Sequence, residues 1–225
     1  MPKMLVVSDL HYPTPYSSRL WGIIKEEKPN AIVLLGDVID NTGSGKSVIS
    51  LYREFIGKYR RNFPLNKSAI ILGDNDGRLP DYSENAEAAG FLMELGLLNR
   101  DPFTYRYKNM FFFHGNIEDS FIKERIGYLA GKVAVKISKK LMPYLLVKIV
   151  RYKFALGSGI IPFLGHLHYL GIAGGGVMCG TLHRRKILYG RDSSLGYVTI
   201  AYGNGRISMG NIKLIKLGGR NNQQL

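Results

Sequence analysis

A single cysteine, Cys179, occurs among the 225 residues; this excludes an internal disulfide and any metal cluster built on thiolates, and it fits a reducing compartment. Acidic residues are scarce, with 17 Asp and Glu against 31 Lys and Arg and a formal charge of +14. That imbalance says nothing about fold, but it calls for an anionic partner: a phosphorylated substrate, nucleic acid or an anionic membrane surface. Long apolar runs are missing as well. The opening stretch MPKMLVVSDLH has only a few apolar residues before Asp9, too few for the hydrophobic region of a secretory signal. The expected location is cytoplasmic, with peripheral attachment to the inner membrane surface as the variant that the basic charge allows. Residues 156–182 carry no Asp, Glu, Lys or Arg, yet they contain Pro162, His166, His168 and a Gly174-Gly175-Gly176 run. That pattern suits buried strands joined by tight turns better than a lipid-facing helix.

What is present alternates. Short apolar runs at Met4 to Val7, Ala31 to Leu35, Ala69 to Leu72 and Met110 to Phe113 read as strands, the last entered from a hairpin-like Tyr105 to Asn109. Ser17 to Lys28, Val48 to Phe63 and Glu84 to Leu98 read as helices; Val48, Tyr52, Phe55, Ile56 and Tyr59 share one face of the second. The last third turns to strands at Ile160 to Leu164, Tyr197 to Tyr202 and Arg206 to Ile215, with Asn204-Gly205 as a two-residue hairpin turn. One domain over residues 1–217 is expected, followed by a disordered tail at 218–225.

Five of the strands end in the same way, in a cluster of potential ligands. The first ends in Asp9-Leu10-His11 and the second in Gly36-Asp37-Val38-Ile39-Asp40. The third ends in Gly73-Asp74-Asn75-Asp76, the fourth in His114-Gly115-Asn116 and the fifth in Gly165-His166-Leu167-His168. In an α/β sheet the carboxyl ends of strands converge on one crevice, so the clusters are expected to share a pocket. Imidazole nitrogen with carboxylate oxygen suits Mn, Fe, Ni or Zn better than Mg or Ca. The donors suffice for two such ions, which together can clamp a phosphoryl group and activate water.

This series resembles the motif blocks of the calcineurin-like metallophosphoesterase family, D-x-H, G-D-x-x-D, G-N-H-D/E, H and G-H-x-H, over residues 4 to about 202. The resemblance implies an α/β fold, a two-sheet β-sandwich flanked by helices, carrying here a basic helical insertion. It implies two divalent metal ions, one held by Asp9, His11 and His168 and the other by Asp74, His114 and His166, with Asp37 bridging. Asp40 and Asp76 match positions that orient neighbouring groups. The chain departs from the pattern at 74 and 75, where Asp74 replaces a ligand Asn and Asn75 replaces a His that handles phosphoryl charge or the leaving group. An amide cannot act as an acid, so Asn75 narrows the substrates. Asp74 makes the centre less electrophilic and leaves more of the substrate's charge to outside cations. Arg78 is one candidate.

The segment from Phe121 to Leu156 supplies others, with Lys123, Arg125, Lys132, Lys136, Lys139, Lys140, Lys148, Arg151 and Lys153 against the single acid Glu124. Lys132, Lys136, Lys139 and Lys140 fall on one helical face, and Pro143 is expected to kink or break the run. A basic helical lid at about 119–156 follows, suited to a membrane surface, a lipid-like substrate or a nucleic-acid backbone. The layout is similar to the short phosphodiesterase and lipid-precursor pyrophosphohydrolase branches of the family. It implies hydrolysis of phosphodiester or pyrophosphate bonds in an anionic lipid-like or nucleotide substrate. A nuclease or cyclic-nucleotide phosphodiesterase would use the same ligands, and a metal-binding scaffold without catalysis is the third reading. His183, in Thr181-Leu182-His183-Arg184-Arg185-Lys186, is assigned to a basic surface loop.

Overall fold

The structure is a computed structural model that describes residues 1–40, 44–59, 63–64, 67–73, 76, 82–115, 138–183 and 194–217. Asp74, Asn75, Arg78, Lys132, Lys136, the first part of the expected lid and the expected tail lie outside the described residues.

Strands β1 (Lys3–Ser8), β2 (Ala31–Leu35) and β3 (Ala69–Ile71) pair in parallel. β9 (Gly196–Ala201) and β10 (Ile212–Lys216) add antiparallel neighbours, giving the order β10-β9-β1-β2-β3. The second sheet holds β4 (Thr104–Tyr107), β5 (Met110–Phe113), β6 (Ile161–Leu164), β7 (Leu170–Ala173) and β8 (Gly176–Cys179), in the order β4-β5-β6-β8-β7. Among the described residues four α-helices flank these two mixed sheets: α1 (Arg19–Glu27), α2 (Val48–Tyr59), α3 (Tyr82–Glu94) and α4 (Leu141–Lys153). The architecture is the α/β sandwich expected from the sequence.

Alternate side chains explain the layers. Along β1, Leu5 and Val7 pack with Leu20, Phe55 and Leu92 of the helices, while Met4 and Val6 face the second sheet. In β5, Phe112 turns inward and stacks on Phe163 with ring centroids 4.8 Å apart; Phe111 and Phe113 turn outward, beneath Leu146, Val147 and Val150 of α4. Both faces of these strands are buried, which is why they read as unbroken apolar runs rather than as alternating ones.

Two local expectations are corrected, and a third falls partly outside the described residues. The second helix is described over Val48–Tyr59, and Phe63 lies outside it; residues 60–62 fall outside the described residues. Arg206 to Ile215 is not one strand behind a two-residue turn, because β10 begins only at Ile212. Asn109 holds the intervening chain, accepting from the Ile207 backbone N–H at 2.8 Å and donating to its carbonyl at 2.9 Å, which draws this segment towards the start of β5 and β6. Pro143 does not interrupt a helix. It sits in the first turn of α4, where its missing N–H costs no intrahelical bond, and Lys139 and Lys140 lie in the turn just before that helix. Among the described residues no helix is long and apolar enough to cross a membrane.

Candidate metal centre

β1, β2, β3, β5, β6 and β8 end at one rim. The loops that follow are locked to one another through the backbone: Asp9 N–H donates to Gly36 O at 3.1 Å, His11 N–H to Asp37 O at 2.9 Å, Gly36 N–H to Ile71 O at 2.9 Å and Gly165 N–H to His114 O at 2.9 Å. Among the described residues, five of the eight non-glycine residues with positive φ are Asp9 (52°), His11 (51°), Asp37 (49°), His166 (61°) and His168 (50°). A left-handed backbone at such residues costs about 1–3 kcal/mol each and persists where the surroundings enforce it. Concentrating that cost on candidate ligands turns their side chains into one crevice.

Small residues make the crevice possible. A Cβ on Gly36 would overlap the His114 ring, one on Gly73 would overlap the backbone and carboxylate of Asp37, and one on Gly165 would overlap Ser8 Oγ. The glycines before Asp37, Asp74 and His166 are therefore close-approach requirements, in addition to turn preferences.

The donors meet at short range. His168 Nε2 lies 3.0 Å from Asp9 Oδ1, and His114 Nε2 lies 4.0 Å from the same oxygen. Asp37 presents Oδ1 to His114 Nε2 at 3.5 Å and Oδ2 to His11 Nε2 at 3.8 Å. Two overlapping sets emerge, Asp9-His11-His168 and Asp9-Asp37-His114, each with its donor atoms within 4.8 Å of one another. Donors sharing an ion at about 2.1 Å lie about 3.0–4.2 Å apart, so these separations fit coordination. Both ring nitrogens of His11 are buried without hydrogen-bond partners among the described residues, an arrangement that costs stability unless a cation meets it. Burial alone would push the Asp9 carboxyl up, but His168, His114 and His11 outweigh it and hold the group ionised, well below the usual carboxylate range.

The supporting contacts set each donor's state. His114 Nδ1 is 2.9 Å from the Leu35 carbonyl, which only accepts, so the proton resides there and Nε2 turns its lone pair to Asp9 and Asp37. Asp9 Oδ2 accepts from Ser8 Oγ and from the His166 backbone N–H at 3.2 Å, leaving Oδ1 to face the crevice. The His166 ring stands edge-on to that of His114, with centroids 5.4 Å apart. Asp40 Oδ2 lies 3.8 Å from His11 Nδ1, beyond a hydrogen bond but close enough to bias the ring. Of the expected site, then, Asp9, His11, Asp37, Asp40, His114, His166 and His168 are brought together.

Asp76 is 1% exposed and accepts from Ile39 N–H at 2.9 Å and from Gly73 N–H at 2.8 Å, tying two ligand loops together. Burial, then the adjacent Asp37, push its carboxyl up to about 7. Asp76→Ala is expected to cost about 2–5 kcal/mol by stranding both buried N–H groups. In metal-free protein the native state keeps this proton to higher pH than the unfolded chain does. The resulting stability is fully present below pH 3.8 and is lost as pH rises through about 7. Urea unfolding of metal-free protein at pH 5 and 7.5 is expected to show that loss in wild type and much less of it in Asp76→Asn.

One residue was misplaced from sequence. His183 is 8% exposed, not on the surface, and its ring packs 4.9 Å from that of His11. Its backbone N–H donates to Thr181 Oγ1 at 2.9 Å, and that hydroxyl donates to the Asp9 carbonyl at 2.9 Å. β8 runs parallel to β6, so its carboxyl end reaches the same rim. The signal was present: Val177 to Cys179 followed by Gly180-Thr181-Leu182-His183 repeats the apolar-run, glycine, polar pattern a sixth time.

A two-sheet sandwich with a carboxylate-and-imidazole cluster at its strand ends defines the class. The family model described as calcineurin-like phosphoesterase matches residues 2–132, more than half of the chain, and the chain belongs to that family of phosphoester hydrolases that bind divalent metals. In fold it is similar to an archaeal phosphodiesterase, at 15% identity and TM-score 0.50, covering 96% of this chain and 99% of that one. It is similar also to a metallophosphoesterase from Sphaerobacter thermophilus, at 14% identity and TM-score 0.50, covering 97% and 89%. No curated protein sequence matches the chain.

Proposed function

We propose that the chain is a dinuclear-metal phosphohydrolase that cleaves phosphodiester or pyrophosphate bonds. The observation that carries this reading is the pair of overlapping donor sets, which include His11, whose buried ring nitrogens have no hydrogen-bond partner among the described residues. Asp9, His11 and His168 would hold one divalent ion; His114 and His166, with Asp74, would hold the other. Asp37 would stand between the two ions, since its two oxygens face His11 and His114, and Asp9 is the residue common to both donor sets. Mn, Fe, Ni and Zn all suit these donors. When bound, the ions supply Lewis-acid stabilisation of phosphoryl oxygens and activation of water. The protein's own part is positional. Leu35 O fixes the His114 tautomer, Thr181 fixes the Asp9 loop, Asp76 clamps the loops after β2 and β3, and the His183 ring backs that of His11. Arg78, Lys132, Lys136, Lys139 and Lys140 are the cations proposed to meet substrate charge beyond the cluster.

Hydrolysis of bis(p-nitrophenyl) phosphate by full-length protein, before and after chelation and after adding back each metal, tests the reading. Turnover that is lost on stripping and restored on reloading is the expected result. Metal binding with no turnover on any diester or pyrophosphate would make the chain a scaffold.

A further inference from the structure

Helix α4 buries Pro143, Leu146, Val147 and Val150 against the second sheet, so its opposite face should be polar. It is not. Leu145 is 41% exposed, Ile149 47% and Tyr152 91%, at the i, i+4, i+7 spacing that aligns them along the outer pole of the helix, with Tyr144 beside them at 43%. These four are nearly half of the exposed large apolar side chains among the described residues. Lys148 lies within the same strip, over the Tyr144 ring at 5.5 Å, and Lys139, Lys140 and Lys153 are exposed at its two ends. Arg151 does not belong to this set: its guanidinium donates to the carbonyls of Gly157, Ile160 and Gly175 and fastens the helix to the sheet.

The charge along the part of the sequence that carries this helix is almost wholly of one sign. Between Glu124 and Asp192 the sequence has no acid, and beyond Glu124 only Asp192 stands against 16 Lys and Arg, so the whole positive excess belongs to the part of the chain that carries α4. A second copy packed face to face on this helix would set Lys148 and Lys153 against their own counterparts with no acid to offset them. A nucleic-acid backbone would gain from the lysines but nothing from Leu145 and Ile149. An apolar pole bearing a tyrosine and flanked by lysines is complementary to one surface: headgroups of negative charge over hydrocarbon.

We infer that the outer face of α4 docks the protein on an anionic lipid bilayer, with Leu145, Ile149 and Tyr152 entering the headgroup boundary and Lys148 and Lys153 pairing with lipid phosphates. The docking is independent of what the metal cluster hydrolyses. Full-length protein is mixed with vesicles of phosphatidylcholine alone or with one quarter phosphatidylglycerol, and bound protein is measured by sedimentation. Wild type is expected to prefer the anionic vesicles by at least about tenfold, a preference that falls as salt is raised. Leu145→Ser/Ile149→Ser/Tyr152→Ser is expected to lower that binding by about tenfold or more, and Lys148→Gln/Lys153→Gln to reduce the anionic preference by a similar factor. Melting temperature and hydrolysis of a small soluble diester should stay at wild-type values in both. Tyr152→Ser alone, at the most exposed position, serves if the triple variant does not fold. No preference for anionic vesicles, or unchanged binding by the variants, overturns the inference. So does a wild-type dimer that the triple variant abolishes, which assigns the face to a second copy, or salt-sensitive nucleic-acid binding that the triple variant loses.

Discussion

Asp37→Asn is expected to reduce turnover by at least about a thousandfold, the rate equivalent of the several kcal/mol of charge stabilisation that a metal pair supplies. Asp37 is 3% exposed and presents one oxygen to His114 and the other to His11, so an amide there keeps one weak oxygen donor and turns an N–H towards the other ion. The loss should come with weaker retention of both ions, whereas a change at His168 should affect mainly one. The fold should move the opposite way. Asp37 is the charge that, after burial, most raises the Asp76 carboxyl, so removing it relieves the metal-free protein. Metal-free Asp37→Asn is therefore expected to melt higher than metal-free wild type while turning over far less. Normal turnover with both ions retained would remove Asp37 from the bridge.

The second large effect concerns the leaving group. Asn75 stands where the family pattern has a His, and no amide can protonate a departing oxygen. Leaving groups that carry their own negative charge well, phenolates and phosphates, should then be cleaved about 10²–10⁴ times faster than alkyl alcohols, the range a positioned acid contributes. Asn75→His should help the poorest leaving groups most. A leaving-group series on both proteins measures this. A flat series in wild type would mean that another group supplies the proton, and His183, buried against His11, would be the first to replace.

Much of the fold was legible because its central strands are buried on both faces and so appear as short apolar runs. Ala31–Leu35 and Met110–Phe113 are strands at the residues read from the sequence. The regions that misled are those where a distant side chain decides. Asn109 captures Ile207 from 98 positions away and delays β10, and nothing between Arg206 and Ile215 announces it. At the site, residue types and order gave the clusters, because each ligand-bearing loop follows a strand whose end is set by the sheet. The left-handed backbone at Asp9, His11, Asp37, His166 and His168 was not legible, since single non-glycine residues take that conformation only when the loops around them force it. His183 was missed because the basic residues after it outweighed the glycine and apolar run before it.

The most direct measurement is elemental analysis of full-length protein, stripped of metal, reloaded with Mn, Fe, Ni or Zn and freed of excess. The account predicts about two ions per chain in wild type, as a phosphoryl-clamping pair requires, and retention that weakens at both positions in Asp37→Asn. A wild-type chain that holds no metal after reloading, or holds a single ion unaffected by Asp37→Asn, would contradict it.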